Sequence, residues 1–243
     1  PMKKRILSIL LLCCMVLTML PTTVLAADGP MDTIPKYDVS IDVYNRTSDI
    51  SIKDSRSYYI YSSVPDKLRD TWAWDKKIFI KGDKAAPHVF IDGVNIEMSP
   101  SSKGPAIELN KKASAYIYFI GKNSSLQGAD GRAAIQKNRS EGQLYVLART
   151  GTTVTCKGGY RAAGIGGSWA IRNIGDPMFN MDMYGHGVNM HFGSQSNPDY
   201  WGGTINATGG EYGAGIGAGS WGHSGYSGNA IHGGAGERLY FYS

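Results

Sequence analysis

The sequence predicts an all-β fold built as a parallel β-solenoid. Three observations carry this reading: short apolar segments of period two, glycine crowded into the second half, and one phrase written twice. The phrase is "TVTCKGGYRAAGIGGSW" (153–169), which returns as "TINATGGEYGAGIGAGSW" (204–221) 51 residues on. The short segments are "SDISIKD", "SYYIYSS", "KKIFIKG", "HVFIDGVNIEM", "ASAYIYFIG", "QLYVLA", "TTVTCKG" and "GTINATGG". Each alternates apolar and polar residues over a strand's length. No mature stretch keeps a helical period for more than about two turns, and Lys67 to Trp74 is the weak exception.

Of 32 glycines, 28 lie from residue 121 onward, without collagen's every-third spacing. Ile, Val, Tyr and Trp recur among them, which excludes simple disorder. A small residue followed by isoleucine appears at Ala106-Ile107, Ala134-Ile135, Gly164-Ile165, Gly215-Ile216 and Ala230-Ile231. The intervals are 28, 30, 51 and 15 residues. A repeat of a few tens of residues, each unit strand-turn-strand, is the pattern of stacked coils. In such a stack the isoleucines pile up inside, while glycine supplies positive φ and close approach at the corners. A β-sandwich also explains short alternating strands, but it gives no reason for a repeated AGIG phrase.

Residues 1–26 read as a secretory signal peptide. Lys3, Lys4 and Arg5 precede a 15-residue apolar run from Ile6 to Leu20, and Ala26 ends a small-residue cleavage site. That run is shorter than the about 20 residues a membrane span needs. Cleavage removes Cys13 and Cys14 and leaves Cys156 alone, so the mature chain has no internal disulfide and no cysteine zinc site. It also lowers the formal charge from +5 to +2, with 22 cations against 20 acids. Nucleic acid loses its main support as a partner, and no membrane span remains after cleavage. The expected location is secreted and extracellular, with surface association open. Residues 27–86 are expected to form N-terminal strands and a cap, with Trp72 and Trp74 covering the first coil. Residues 87–243 are expected to form the coils, interrupted by an irregular insertion at 170–203.

The stretches "IDGVNIEM", "GKNSSLQG" with "AAIQ", and the paired TGG-AGIG phrases resemble a group of secreted β-helical proteins of Gram-positive bacteria. That group is described as carbohydrate-binding or adhesin-like and surface-located. The resemblance runs from about Ile50 to Gly234. It implies a right-handed parallel β-helix, the hand that parallel crossovers prefer. Its motifs form coils, so they speak to architecture more than to activity. The 170–203 stretch departs from that pattern and reads either as a functional loop or as a degenerate coil.

Candidate chemistry is sparse. The acids Asp92, Glu97, Glu108, Asp130, Glu141 and Glu211 are scattered, and Asp130-Gly-Arg132 reads as a turn. Asp176 and Asp182 are a weak pair within the insertion. His186, His191, His223 and His232 lack the tight spacing of a zinc site. No cofactor is implied, and calcium stays open without a motif to support it. The aromatics are the best signal. Tyr160 and Trp169 flank the first AGIG, Tyr212 and Trp221 flank the second at the same separation, and Tyr200 and Trp201 end the insertion. Stacked coils would align them as a ladder for flat sugar faces, the alternative being that they cover corners of the core. The expected function is non-catalytic binding of a polysaccharide or host or cell-surface glycan. A β-helical lyase or hydrolase and a structural module of a larger adhesin remain as alternatives.

Overall fold

The computed structural model describes residues 35–99, 104–110, 112–137, 141–173, 185–197, 199–224, 231–233 and 236–242. The predicted signal peptide, Asp176 and Asp182 lie outside them. Lys36–Ser243 forms one unit, distinct from Pro1–Pro35. No helix among the described residues is long and apolar enough to cross a membrane.

The chain begins with β1 (Val39–Asp42), β2 (Ile50–Ile52) and β3 (Ser57–Tyr61). It continues through β4 (Ile78–Ile80), β5 (His88–Asp92), β6 (Asn95–Glu97) and β7 (Ile107–Leu109). Next come β8 (Ala115–Ile120), β9 (Ser124–Gln127), β10 (Ile135–Gln136) and the long β11 (Leu144–Lys157). Then follow β12 (Ile165–Gly166), β13 (Ala170–Asn173), β14 (Gly187–Phe192) and β15 (Gly202–Thr208). The order closes with β16 (Ile216–Gly217), β17 (Ser220–Ser224), β18 (Ile231–Gly233) and β19 (Gly236–Phe241). All eight segments read as strands from the sequence are strands here, with "QLYVLA" and "TTVTCKG" fused in β11. The weak helical stretch is only a 3-10 turn, Asp66–Leu68.

Three parallel ladders surround one core. The first runs β1-β3-β5-β8-β11-β14-β19, and the third runs β2-β4-β7-β10-β12-β16. The second, β6-β9-β11-β15, uses the C-terminal half of β11, which changes partners between Ala148 and Thr153. Every pairing among the described strands is parallel except β17 with β18. The curled sheets follow from the sequence spacing. Strands 28 to 30 residues apart meet side by side, so each residue type recurs beside its own kind.

The third ladder shows this directly. Ile50, Ile78, Ile107, Ile135, Ile165 and Ile216 form one continuous inward row. The first five are buried, each worth about 1.5–3 kcal/mol relative to exposure. Four of the five small-Ile phrases enter this row. Ile231 does not: it pairs antiparallel with Gly222 instead. The two AGIG phrases lie directly against each other, Ile165 beside Ile216 and Gly166 beside Gly217. Gly166 has φ +129°, and a Cβ there would sit 2.0 Å from the Gly217 carbonyl oxygen. The phrase is glycine-rich because its two copies touch through backbone.

The 170–203 stretch is not simply an insertion. It contains β13 and all of β14, and β14 takes its place in the first ladder between β11 and β19. Trp74 is 3% exposed, donates from Nε1 to the Arg46 carbonyl, and bridges to Ile96. It heads an inward row of the second ladder, Ile96, Leu126, Cys156 and Ala207. Trp72 packs edge-on against Tyr44.

Candidate functional site

The register decides what the predicted aromatic ladder becomes. Lys157 pairs with Thr208, Ile165 with Ile216 and Ala170 with Trp221, an offset of 51 throughout. Tyr160 therefore meets Glu211, and Arg161 meets Tyr212, with the Arg161 N–H donating to the Glu211 carbonyl. Trp169 falls opposite Ser220, not Trp221. The expected stacking of Tyr160 on Tyr212 and of Trp169 on Trp221 is off by one residue. The Trp221 side chain lies outside the described part.

The structure instead gathers the predicted residues in two places. At the corner after the second ladder, the Arg161 guanidinium lies between Tyr160 (4.8 Å) and Trp169 (5.3 Å). The backbone N–H of Trp169 donates to the Gly131 carbonyl, and its indole lies over Gly131, whose φ is +74°. A Cβ on Gly131 would come 3.2 Å from Trp169 Cε3, so this corner of the ADGR turn is kept bare for the indole. Tyr160 is 41% exposed and Tyr212 56%. The Tyr212 hydroxyl is hydrogen-bonded to the Glu211 carboxylate, which pushes its pKa up.

Tyr200 and Trp201 belong elsewhere. The Thr150 N–H donates to the Tyr200 carbonyl and the Gly202 N–H to Thr150 Oγ1, fixing this segment beside the first ladder. Trp201 leans on Tyr118 with ring centres 5.1 Å apart and is only 9% exposed. It covers Tyr59, Phe90, Ile120 and Leu147 on the outer side of that ladder.

That outer side carries an aromatic row with no counterpart among the predicted residues: His88, Tyr116, Tyr145, His191 and Tyr240. Successive centroids are 4.7, 4.4, 4.3 and 4.5 Å apart, and successive rings lie 4° to 16° from parallel. Parallel strands lie about 4.8 Å apart, so rings in register stack face to face. Two rings are held by the same device. Nδ1 of His88 is 3.0 Å from the Tyr118 hydroxyl, and Nδ1 of His191 is 3.1 Å from the Tyr242 hydroxyl. Burial lowers the pKa of both histidines. The sequence signal was partial: aromatics stand two apart in β5 (His88, Phe90), in β8 (Tyr116, Tyr118) and at the end of β19 (Tyr240, Tyr242), but not in β11 or β14.

Open space lies along the second ladder. A cleft of about 670 Å³ is lined by Glu97, Gln127, Asp130, Lys157, Tyr160 and Glu211, with Thr71 and Ala73 on its wall. A second, of about 630 Å³, lies beside Asn95, Ser125 and Thr155, near Asp66, Arg69 and Lys122. The two occupy neighbouring rows of one sheet face, since Asn95, Ser125, Thr155 and Asn206 align, as do Glu97, Gln127, Lys157 and Thr208. The scattered acids of the sequence thus converge in part: Glu97, Asp130 and Glu211 border one cleft. Among the described residues no three or more His, Cys, Asp or Glu side chains converge as metal ligands. Cys156 is fully buried, and burial pushes its thiol pKa up.

No family model, curated protein or solved structure matches the chain.

Proposed function

We propose that this is a secreted or cell-surface protein that binds carbohydrate without cleaving it, on a right-handed parallel β-helix. Strands returning every 28 to 30 residues to the same ladder support the helix, and the preferred hand of parallel crossovers supports its handedness. One observation carries the function: an exposed ring, Tyr160, stands in a cleft whose other polar side chains include Glu97, Gln127, Asp130, Lys157 and Glu211. A sugar offers a CH-rich face to such a ring and hydroxyls to such side chains. The test is retention of the full chain on immobilised polysaccharides, with the same tubes assayed for new reducing ends. Binding without cleavage, weakened roughly tenfold by Tyr160→Ala, is the expected result.

A second reading has its own observation. Glu97, Asp130 and Glu211 share the cleft, and glycoside cleavage works through carboxylates placed across one bond. New reducing ends that vanish in Glu97→Gln or Glu211→Gln would establish that reading and displace the first. Absence of any retention leaves a structural module of a larger adhesin.

A further inference from the structure

We infer that the Tyr160 cleft selects glycans built from amino sugars with free amines and rejects polyuronates; this rests on the carbohydrate-binding reading above. The first ground is position. The offset of 30 that pairs Gln127 with Lys157 and Ile135 with Ile165 sets Asp130 beside Tyr160. The offset of 51 sets Glu211 on the other side. One aromatic ring therefore stands between two carboxylate-bearing positions, each about 4.8 Å away along the stack. The Arg161 guanidinium already lies over the ring, so the ammonium of a sugar seated there is drawn by the carboxylates on either side.

The second ground is charge. Among the lining residues the acids are Glu97, Asp130 and Glu211, against the single cation Lys157. All four are exposed, and the Glu211 carboxylate also takes the Tyr212 hydroxyl. Arg161 does not line the cleft; its guanidinium lies between the Tyr160 and Trp169 rings. The neighbouring cleft adds no cationic excess. Its Arg69 and Lys122 both pair with Asp66, at 3.4 and 2.8 Å, and Asp70 lies beside them. A uronate chain would bring carboxylates against carboxylates. A hexosamine brings a flat CH face for Tyr160 and a cation for its flanking acids. N-acetylation removes that cation and leaves only the face.

The length of the surface fits a chain and not a single sugar. From Thr153 to Lys157 the strand floor spans about 13 Å at roughly 3.3 Å per residue, and the corner carries it on to Tyr160. Both clefts open onto it.

The experiment measures affinity of the full chain for glucosamine oligomers, their N-acetylated equivalents, oligogalacturonate and neutral glucan oligomers, at low and high salt. De-N-acetylated peptidoglycan fragments run in parallel and separate a cell-wall source from a chitosan-like one. Free-amine oligomers are expected to bind roughly tenfold or more tightly than N-acetylated ones, with the advantage shrinking in salt. Glu97→Gln with Glu211→Gln should erase that advantage, and Tyr160→Ala should weaken every sugar. Unchanged melting temperatures confirm that these exposed variants fold. Equal affinity for acetylated and free-amine oligomers, or preference for oligogalacturonate, overturns the inference and leaves carbohydrate binding standing. Amine binding that survives Tyr160→Ala is bare charge attraction and also overturns it. If no glycan of any class binds, the carbohydrate reading falls as well.

Discussion

On the first ladder, Tyr116 and Tyr145 lie 4.4 Å apart and 8° from parallel, with His88 and His191 stacked beyond them. At the corner of the second ladder, Tyr160 has carboxylates as its row neighbours and is 41% exposed. The row stands on parallel strands and Tyr160 on the turn that follows β11, and their use differs. In the row, each of the three inner rings spends both faces on the rings before and after it, so the surface there presents edges. Four such contacts are worth about 0.5–1.5 kcal/mol each beyond burial, and that energy goes to holding strands together. Tyr160 has no aromatic neighbour in its row; the Arg161 guanidinium lies over its ring, and the residue stays 41% exposed. A run of aromatics on a repeating β surface thus serves stability, while the ring outside such a row is the one the proposed glycan site uses.

The largest effect expected from this comparison is on stability. Tyr145→Ala removes two stacking partners at once and should lower unfolding free energy by about 2 kcal/mol while leaving glycan retention unchanged. Tyr160→Ala should do the reverse, staying within about 0.5 kcal/mol of the parent. Chemical denaturation of both reads the contrast, and loss of retention in Tyr145→Ala would break it. Next is the corner itself. Arg161 and Tyr212 occupy the register position of Gly131 with φ of 63° and 65°. Gly131→Ala should therefore cost only about 1 kcal/mol for its φ. Because its methyl presses on Trp169, indole fluorescence should shift as well; an unshifted spectrum would contradict that packing.

A smaller effect tests whether the row couples. The Tyr116/Tyr145 double-mutant cycle should return about 0.5–1.5 kcal/mol, and a value near zero would mean the rings are merely adjacent. The smallest concerns pH. Burial lowers the pKa of His88 and His191 in the folded chain, so unfolded chain takes up the protons first, near the ordinary histidine value of 6.5. Stability from these groups is complete above that value and is lost as pH falls through it toward the folded values. Melting temperature should drop on acidification below pH about 6.5, and His88→Phe with His191→Phe should flatten the drop.

The inward rows were legible because a core position tolerates little variation: small-then-Ile survives at 106–107, 134–135, 164–165 and 215–216. Ile231 carries the same letters, but only pairing distinguishes a ladder from an antiparallel turn-back. The aromatic reading missed by one residue for a physical reason. The second phrase holds an extra residue before its tyrosine, one fewer between tyrosine and isoleucine, and one more between isoleucine and tryptophan, so both aromatic letters slip by one while the backbone keeps its offset of 51. The outer row was legible only in part, as aromatics two apart in β5, β8 and at the end of β19, and the spacing between strands hid the rest. The cleft was not legible. Glu97, Asp130 and Glu211 lie far apart in the chain, and only the offsets of 30 and 51 bring them to one place.

Cys156 sits midway along the inward row of the second ladder, fully buried behind the strands that carry the cleft. Its thiol pKa is raised, and a thiol reagent reaches it only when those strands part. With Cys13 and Cys14 replaced by serine, the chain carries a single built-in clock. Alkylation in native buffer then times the opening of this wall molecule by molecule. A ligand that bridges neighbouring strands across the cleft slows that clock in proportion to its occupancy, with no label added and no enzymatic turnover needed.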